Sequence, residues 1–223
     1  IQKIAFGQLY WDKKINTHDI LVGAAYRFNY YDDNTPATQT ADSINSQNKP
    51  DLAYLPGFFV QDVISLHEKH KVLLGARYDY DNRHGSIITP RFNYKWSPND
   101  KNTIRLSTGT GYRVVNLFTE DHAATTGARE VVINGTLNPE TSYNANLNFQ
   151  RFINTNFGFI NFDASVFYTY FNNKITPDYE TNAQQIIYEN IDGYAVSQGA
   201  SFDLNINFSV PLNIKIGATF IDV

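Results

Sequence analysis

The sequence predicts an all-β protein, an antiparallel up-and-down β-barrel that crosses a membrane with its strands. Three observations predict this fold. Long segments alternate strictly between apolar and polar residues, aromatic residues gather at the ends of these segments, and the connections between them alternate between short and long. The segments run for about 11 to 15 residues, whereas strands of globular proteins are mostly about five or six residues long. Tilted strands of about 9–11 residues are needed to cross a bilayer.

The alternation can be followed along ten candidate strands. In residues 72–81 every second residue from Val72 to Tyr80 is apolar, and Arg77 and Asp79 lie between them. Such a period of two places one class of residue on each face of a strand. The same pattern recurs in residues 20–30, 143–149, 160–170 and 200–208. Residues 4–11 and 56–66 carry bulky apolar side chains on both faces, so strands are less clearly marked there.

Composition also favours a membrane barrel over a soluble β-domain. Aromatic residues make up 15% of the chain and charged residues only 18%, against about 25% charged residues in ordinary soluble domains. Tyr and Trp favour the membrane interface because an apolar ring carries a polar tip. Aromatic pairs occur near predicted strand ends, at Tyr30/Tyr31, Tyr78/Tyr80, Tyr94/Trp96 and Tyr168/Tyr170. The alternative is a soluble β-sandwich or lipocalin-like barrel in which the apolar row faces inward.

The connections provide a second signal. Short turns are predicted near residues 12–16, 67–70, 98–102, 153–156 and 210–212. Longer loops are predicted near residues 32–54, 116–137 and 172–192, with a brief one at 82–85 and a short helical turn around 115–121. An up-and-down barrel produces this alternation, with tight turns at one end and larger loops at the other.

Several classes of function are disfavoured. A net charge of −4 without a basic stripe argues against a nucleic-acid partner. The absence of cysteine excludes disulfides and thiolate metal sites. We predict no enzyme, no catalytic residue, no cofactor and no metal site, because no nucleophile–base pair or metal cluster is visible. His67 and His70 are three residues apart in a predicted turn, whereas the zincin motif needs a spacing of four on a helix.

Two groups of ionisable residues leave their roles open. Asp32 and Asp33, or Asp79 and Asp81, provide either calcium ligands or solvated charges. The loop at 116–137 contains five ionisable residues that either contact a ligand or form ion pairs among themselves. These five residues are Glu120, Asp121, His122, Arg129 and Glu130.

The central part of the chain contains two sequence motifs. The first has the form R-x-S-x-G-x-G-Y-R and consists of Arg105, Ser107, Gly109, Gly111, Tyr112 and Arg113. The second has the form L-x-P-E-x-S and consists of Leu137, Pro139, Glu140 and Ser142. This part of the chain resembles the barrel of TonB-dependent outer-membrane receptors, in which a strand of the form R-x-S-x-G-x-G-[FY]-R precedes an acidic loop and the next strand opens with L-x-P-E-x-S. Looser matches at Phe59–Asp62 and Phe167–Ile175 extend the similarity over most of the chain.

The resemblance implies a barrel of twenty-two strands in the outer membrane of a Gram-negative bacterium. It implies an N-terminal plug domain inside the barrel, energy supplied through TonB, and active import of a scarce nutrient such as a ferric siderophore, haem or cobalamin. We expect residues 1–223 to supply about ten of these strands, as part of a longer protein whose plug lies outside this chain. The expected partners are the plug, TonB, the nutrient ligand and outer-membrane lipid.

The predicted contact residues lie on the polar row that faces the lumen. We expect these residues to meet the plug or the ligand: Arg77, Asp79, Arg91, Arg105 and Arg113. Gly109 and Gly111 lie on the same row, where a missing side chain lets another backbone approach. Two alternatives to a receptor remain, namely a passive porin or channel without a plug, and a soluble β-rich binding module.

Overall fold

The computed structural model describes residues 1–32, 50–113, 130–133 and 137–223. Ten long strands in these ranges form one sheet. Their bounds are β1 Gln2–Ile15, β2 His18–Tyr31, β3 Asp51–His67, β4 His70–Asp81, β5 Gly85–Asn99, β6 Asn102–Arg113, β8 Glu140–Thr155, β9 Gly158–Asn172, β12 Tyr194–Phe208 and β13 Asn213–Asp222. Three short strands form a second sheet, β7 Glu130–Ile133, β10 Ile175–Asp178 and β11 Gln185–Asn190. Among the described residues no helix is long and apolar enough to cross a membrane.

The order of strands in the large sheet follows the order of the chain. Each strand pairs antiparallel with the next, from β1 against β2 to β12 against β13. The sheet is open in this chain, with β1 and β13 at its two edges. The predicted ten-stranded, up-and-down, antiparallel arrangement is therefore confirmed.

Burial along β4 shows which face of the sheet is packed. Leu74 and Tyr78 are 49% and 39% exposed, whereas Asp79 and Asp81 are 0% and 3% exposed. A soluble β-domain would bury the apolar row instead. The predicted alternation of apolar and polar rows is confirmed, and its burial is the reverse of the soluble pattern. We call the two surfaces the apolar face and the polar face.

Residues 56–66 of β3 carry bulky apolar side chains on both faces because one aromatic side chain, that of Phe59, is buried on the polar face. Phe58 and Val60 are exposed on the apolar face, while Phe59 between them is buried. Phe59 pairs with Gly23 across the strands, and a Cβ atom on Gly23 would collide with the Phe59 ring. The absent side chain of Gly23 thus provides the space that Phe59 fills, which is why both faces of this segment carry bulky residues.

The connections alternate as the sequence predicts. At one end of the sheet four turns of two residues join β1–β2, β3–β4, β5–β6 and β8–β9, and a four-residue turn joins β12–β13. At the other end the connections span residues 32–50, 82–84, 114–139 and 173–193. We call these the short-turn end and the long-loop end. The helical turn predicted around residues 115–121 lies outside the described residues.

The second sheet lies in two of the longer loops that the sequence predicts, where no strands were predicted. Strands β10 and β11 form an antiparallel hairpin within the connection 173–193. Strand β7 belongs to the other connection, 114–139, and pairs parallel with β11. A small core of Ile175, Ile186 and Tyr188 holds this sheet together, and Leu137 packs against it.

Candidate functional site on the polar face

Cross-strand register gathers charged residues on the polar face near the long-loop end. They line a cavity of about 500 Å³. Its charged and polar lining includes Gln2, Arg27, Asn29, Arg77, Asp79, Asp81, Arg83, Tyr112 and Arg113. Three of the predicted contact residues are in this set, namely Arg77, Asp79 and Arg113. The cavity is thus the candidate functional site.

Arg77 and Asp79 form an ion pair in the cavity, and its carboxylate is almost completely buried. Positions two apart on a strand share a face, and the Arg77 guanidinium donates from Nε and Nη2 to the two Asp79 oxygens at 2.7 and 2.8 Å. The guanidinium carbon also lies 6.0 Å from the centre of the Phe59 ring, which is cation–π range. A forked, doubly hydrogen-bonded pair of this kind holds both side chains in a fixed orientation.

Tyr112 reaches the same pair although alternation alone would place it on the apolar face. Its hydroxyl group lies by the Asp79 carboxylate. Strands β5 and β6 are paired only from Arg91 and Gly109 towards the short-turn end. Beyond Gly109, β6 pairs with β8 alone, so its tip departs from the regular sheet and Tyr112 turns to the polar face.

Arg83 joins the rim of the cavity to β3. Its guanidinium donates to both oxygens of Asp51 at 3.1 Å and to Asp81 at 3.4 Å. The neighbouring His84 lies in the same turn, where burial of the ring and then the charge of Arg83 lower its pKa, against the opposing charge of Asp81. Burial of the ring therefore disfavours the protonated form of His84.

Arg113 and Glu140 connect the cavity to the small sheet. Arg113 Nε donates to Glu140 at 2.7 Å, and the second Glu140 oxygen accepts a hydrogen bond from the backbone N–H of Ile175 at 2.8 Å. Glu140 is buried and Ile175 is the first residue of β10. One carboxylate thus ties the pairing of β6 with β8 to the start of the hairpin above it.

The residues of the family-like motif lie along this junction of β6 and β8. Gly111 pairs with Ser142, and a Cβ atom on Gly111 would lie 3.0 Å from the Ser142 hydroxyl. Pro139 immediately precedes Glu140 at the start of β8. Asn190 of β11 exchanges hydrogen bonds with both backbone groups of Asn138, at 2.8 and 3.0 Å. The structure thus gives the motif a clear role in joining the two sheets.

Arg91 and Arg105 lie on the polar face but outside the cavity, closer to the short-turn end. Arg91 pairs with Gly109, and its side chain leans across Gly75, whose Cβ would lie 3.0 Å from Arg91 Nε. Arg105 donates to Asn148 and Gln150 at 3.3 and 3.4 Å. The predicted contact residues therefore fall into two groups: Arg77, Asp79 and Arg113 line the cavity, and Arg91 and Arg105 lie outside it. For both groups the contact with ligand or plug stays a prediction.

The remaining sequence expectations concern metal sites and the loop at 116–137. Glu120, Asp121, His122, Arg129 and Asp33 lie outside the described residues. Within the described ranges no three His, Cys, Asp or Glu side chains are placed to hold a metal ion. His67 and His70 flank a two-residue turn, and His70 is engaged with the Tyr94 hydroxyl at 2.7 Å and stacks on Trp96.

Arg27 is a cavity residue that the sequence predictions missed. Its β2 position faces Leu55 of β3, in the row that also holds Asp81 of β4. In the part of the chain that the structure describes, Arg77, Arg83 and Arg113 each have a carboxylate partner, whereas Arg27 is exposed and has no acidic partner. An unpaired guanidinium can bind an anionic group through forked hydrogen bonds. Arg27 could have been predicted on the polar face from its position between the apolar residues Tyr26 and Phe28 in the alternating segment 20–30.

Comparison with known proteins identifies the family. The model of the TonB-dependent receptor-like β-barrel matches residues 4–223. The chain belongs to this family. The TonB-dependent receptor barrel is located in the outer membrane of Gram-negative bacteria, so the apolar face of the sheet meets lipid and the polar face lines the lumen.

A curated relative and several solved structures agree with this assignment. An iron-regulated outer membrane virulence protein of Vibrio cholerae serotype O1 is 30% identical over 111 residues, which are 49% of this chain and 17% of that protein. The siderophore receptor PirA of Pseudomonas aeruginosa is 17% identical with a TM-score of 0.74 over 99% of this chain and 40% of PirA.

Two further solved structures share the fold. A variant of the ferric enterobactin receptor of Pseudomonas aeruginosa, in complex with enterobactin, matches with a TM-score of 0.74 and 18% identity over 100% of this chain and 36% of the receptor. The FrpB iron transporter of Neisseria meningitidis matches with a TM-score of 0.71 and 15% identity over 99% and 35%. The chain thus spans well under half the length of the relatives described here.

Proposed function

We propose that this chain is part of the barrel of a receptor that imports a ferric siderophore, or a comparable scarce nutrient, across the outer membrane. The observation that carries the proposal is the lumen cavity at the long-loop end, lined by four arginines. In a barrel of this kind the long loops lie outside the cell. A ligand arriving from outside would meet this cavity before it meets the rest of the lumen.

The chemistry of the cavity suits an anionic ligand. Three of its arginines are held by carboxylates, which fixes their orientation, and Arg27 is left to bind an incoming negative group. The relatives named above include two siderophore receptors and an iron transporter, which supports an iron-carrying ligand. Haem and cobalamin remain alternative ligands of the same proposal.

The proposed partners follow from the receptor function. A plug domain from another part of the protein would occupy the lumen, TonB would supply energy from the periplasmic side, and outer-membrane lipid would contact the apolar face. The proposal is for active transport and not for catalysis. A passive channel is the competing function, and energy dependence distinguishes the two.

The test is uptake of radiolabelled ligand, with radioactive iron in ferric siderophores and haem and radioactive cobalt in cobalamin, by cells in which the full-length gene is deleted, with and without a plasmid copy of it. We expect uptake of a ferric siderophore from a tested panel to require both this gene and TonB. Uptake that persists when TonB is deleted would favour the passive channel. Uptake that is unaffected by deletion of the gene, for every ferric siderophore, haem and cobalamin tested, would contradict the proposal.

Arg27 allows a sharper version of this test. Replacing it with alanine removes a charge-assisted hydrogen bond, which typically contributes about 1.5–3 kcal/mol, so we expect at least about a tenfold loss of affinity for the transported ligand. The matched control is Arg151→Ala, an exposed arginine of β8 whose position faces away from the lumen. Equal affinities of the two variants would exclude Arg27 as a ligand contact.

A further inference from the structure

A second group of cations lies on the polar face between the middle of the sheet and the short-turn end. Lys71 pairs directly with Lys95, and Lys95 pairs directly with Arg105. Arg91 lies on the same face, four residues before Lys95 on β5. Directly paired residues have Cβ atoms about 5 Å apart. We call these four residues, Lys71, Arg91, Lys95 and Arg105, the basic patch.

The basic patch forms no ion pair in the described parts of the chain, and Glu68, three residues before Lys71, lies in the exposed turn between β3 and β4. No described side chain forms a hydrogen bond or an ion pair with Lys71, Arg91 or Lys95, and Arg105 contacts only two neutral amides. The acidic residues of the polar face at this height are at least two strands away, about 10 Å at the usual strand spacing. They are Asp12 and Asp19 on β1 and β2, and Asp163 and Asp203 on β9 and β12.

The neighbouring part of the polar face is satisfied by its own side chains. Asn148 accepts from Arg105 and donates to Asp163 at 2.8 Å. Ser165 and Ser201 bond to each other at 2.7 Å. The strands β8, β9 and β12 therefore complete many of their polar contacts within the sheet, whereas the basic patch on β4, β5 and β6 does not.

Like charges directly opposite each other destabilise a sheet. A row of three cations in adjacent strands is therefore unfavourable unless negative charge from elsewhere lies against it. Lys71 and Lys95 are exposed on the polar face, so a partner can reach them. Lys71, Lys95 and Arg105 lie on the short-turn side of the arginine-lined cavity, away from the side on which a ligand would enter, and Arg91 lies near the middle of the sheet.

We propose that the basic patch is the docking surface for a carboxylate-bearing polypeptide segment of the same protein that lies inside the lumen. The inference rests on the proposed function, which places such a polypeptide there, and goes beyond it by giving the contact a location and a chemistry. Separate cations on three strands fit several side-chain carboxylates on one segment.

The test is carbodiimide coupling of the purified full-length receptor in detergent, followed by peptide mapping. A carbodiimide joins a lysine amine to a carboxylate in contact with it, forming an amide while the reagent leaves as a urea. We expect Lys71 and Lys95 to be coupled to Asp or Glu residues outside residues 1–223 of the same polypeptide. Lys101, in the turn between β5 and β6, is the internal control and should not be coupled to that segment.

The variant Lys95→Arg sharpens the experiment because arginine keeps the charge but does not form the amide. It should lose the Lys95 crosslink and retain that of Lys71. Absence of coupling at both lysines, or coupling only within residues 1–223, would overturn the inference. The crosslinking result and the transport result can be told apart. Crosslinks in a receptor that imports without TonB would refute the proposed function alone. TonB-dependent import without crosslinks would refute this inference alone.

Discussion

The position of the Asp79 carboxylate depends on a neighbour without a side chain. Asp79 is fully buried and pairs with Gly57 across β3 and β4. A Cβ atom on Gly57 would collide with the Asp79 carboxylate. Because the carboxylate lies in the space over Gly57, it can accept both hydrogen bonds from Arg77. A glycine in one strand thus determines the geometry of an ion pair in the next.

Replacing Gly57 with alanine should therefore weaken the barrel. We expect a destabilisation of about 1–3 kcal/mol, the usual cost of inserting a methyl group into a packed site, together with a displaced Arg77–Asp79 pair. The measurement is the midpoint of thermal or urea unfolding in detergent. Gly7→Ala is the matched control, because nothing lies within 4 Å of its added Cβ. Equal midpoints for the two variants would contradict this account of Asp79.

Individual residues could be placed from the sequence only where the strands are regular. The period of two assigns Arg77, Asp79, Arg91 and Arg105 to the polar face, and the cross-strand register agrees. It fails for Tyr112, because the tip of β6 leaves β5, and periodicity carries no information about where two strands separate. Arg83 was also missed, since it lies in a turn and reaches the cavity through contacts with other strands.

At the scale of elements, Glu140 is the connection between the large and small sheets. It is the first residue of β8, and its carboxylate binds both the Arg113 guanidinium and the first backbone N–H of β10. A buried N–H group without an acceptor costs about 1–3 kcal/mol. The position of the hairpin β10–β11 therefore depends on an acidic residue that lies outside it in sequence.

Glu140→Ala should loosen the small sheet and leave the large one intact. We expect faster amide hydrogen exchange in residues 175–190 of the variant, by about tenfold or more for a cost of about 1.4 kcal/mol, with no change in residues 200–208. Mass spectrometry of the exchanged protein measures both segments at once. The control is Glu180→Gln, an exposed carboxylate of the same hairpin. Uniform acceleration in both segments would instead indicate that Glu140 supports the whole barrel.

The ten long strands could be predicted from the sequence because each contains many alternations of apolar and polar residues. The three short strands could not be predicted in this way. Strand β10 has four residues and β7 has four, so each shows only two alternations. Ile186 and Tyr188 of β11 do share one side, as a strand requires, but six residues between polar loops resemble ordinary loop sequence. The partner of β11 in the parallel pair lies in a different connection, which no local pattern reveals.

Across the whole molecule, the apolar face is suited to lipid and the polar face is suited to water. Large apolar side chains such as Leu74, Val166 and Phe202 are 44–51% exposed on one face, whereas the opposite face buries charged groups. In water such an apolar surface would promote aggregation. In a bilayer the same surface is matched to its surroundings, and the polar lumen keeps its hydrogen bonds.

Two adjacent leucines near the middle of β4 test this arrangement. Leu74 lies on the apolar face and Leu73 on the polar face, where it pairs with Asn93. We expect Leu74→Arg to cost about 2–4 kcal/mol, the cost of arginine at the bilayer midplane, and to reduce insertion into vesicles. Leu73→Arg should insert almost normally. The measurement is the fraction of folded, heat-modifiable barrel on a gel, and the opposite order of the two variants would reverse the assignment of faces.

The parallel pairing of β7 with β11 also has a consequence for how this surface can evolve. External loops of outer-membrane proteins are exposed to phages and antibodies, and insertions or deletions are usually tolerated in loops. Here Glu130–Ile133 of one connection is held in register with Gln185–Tyr188 of another. A change of sequence in one of these segments alters the pairing of the other, so we expect the two connections to diversify together and not independently.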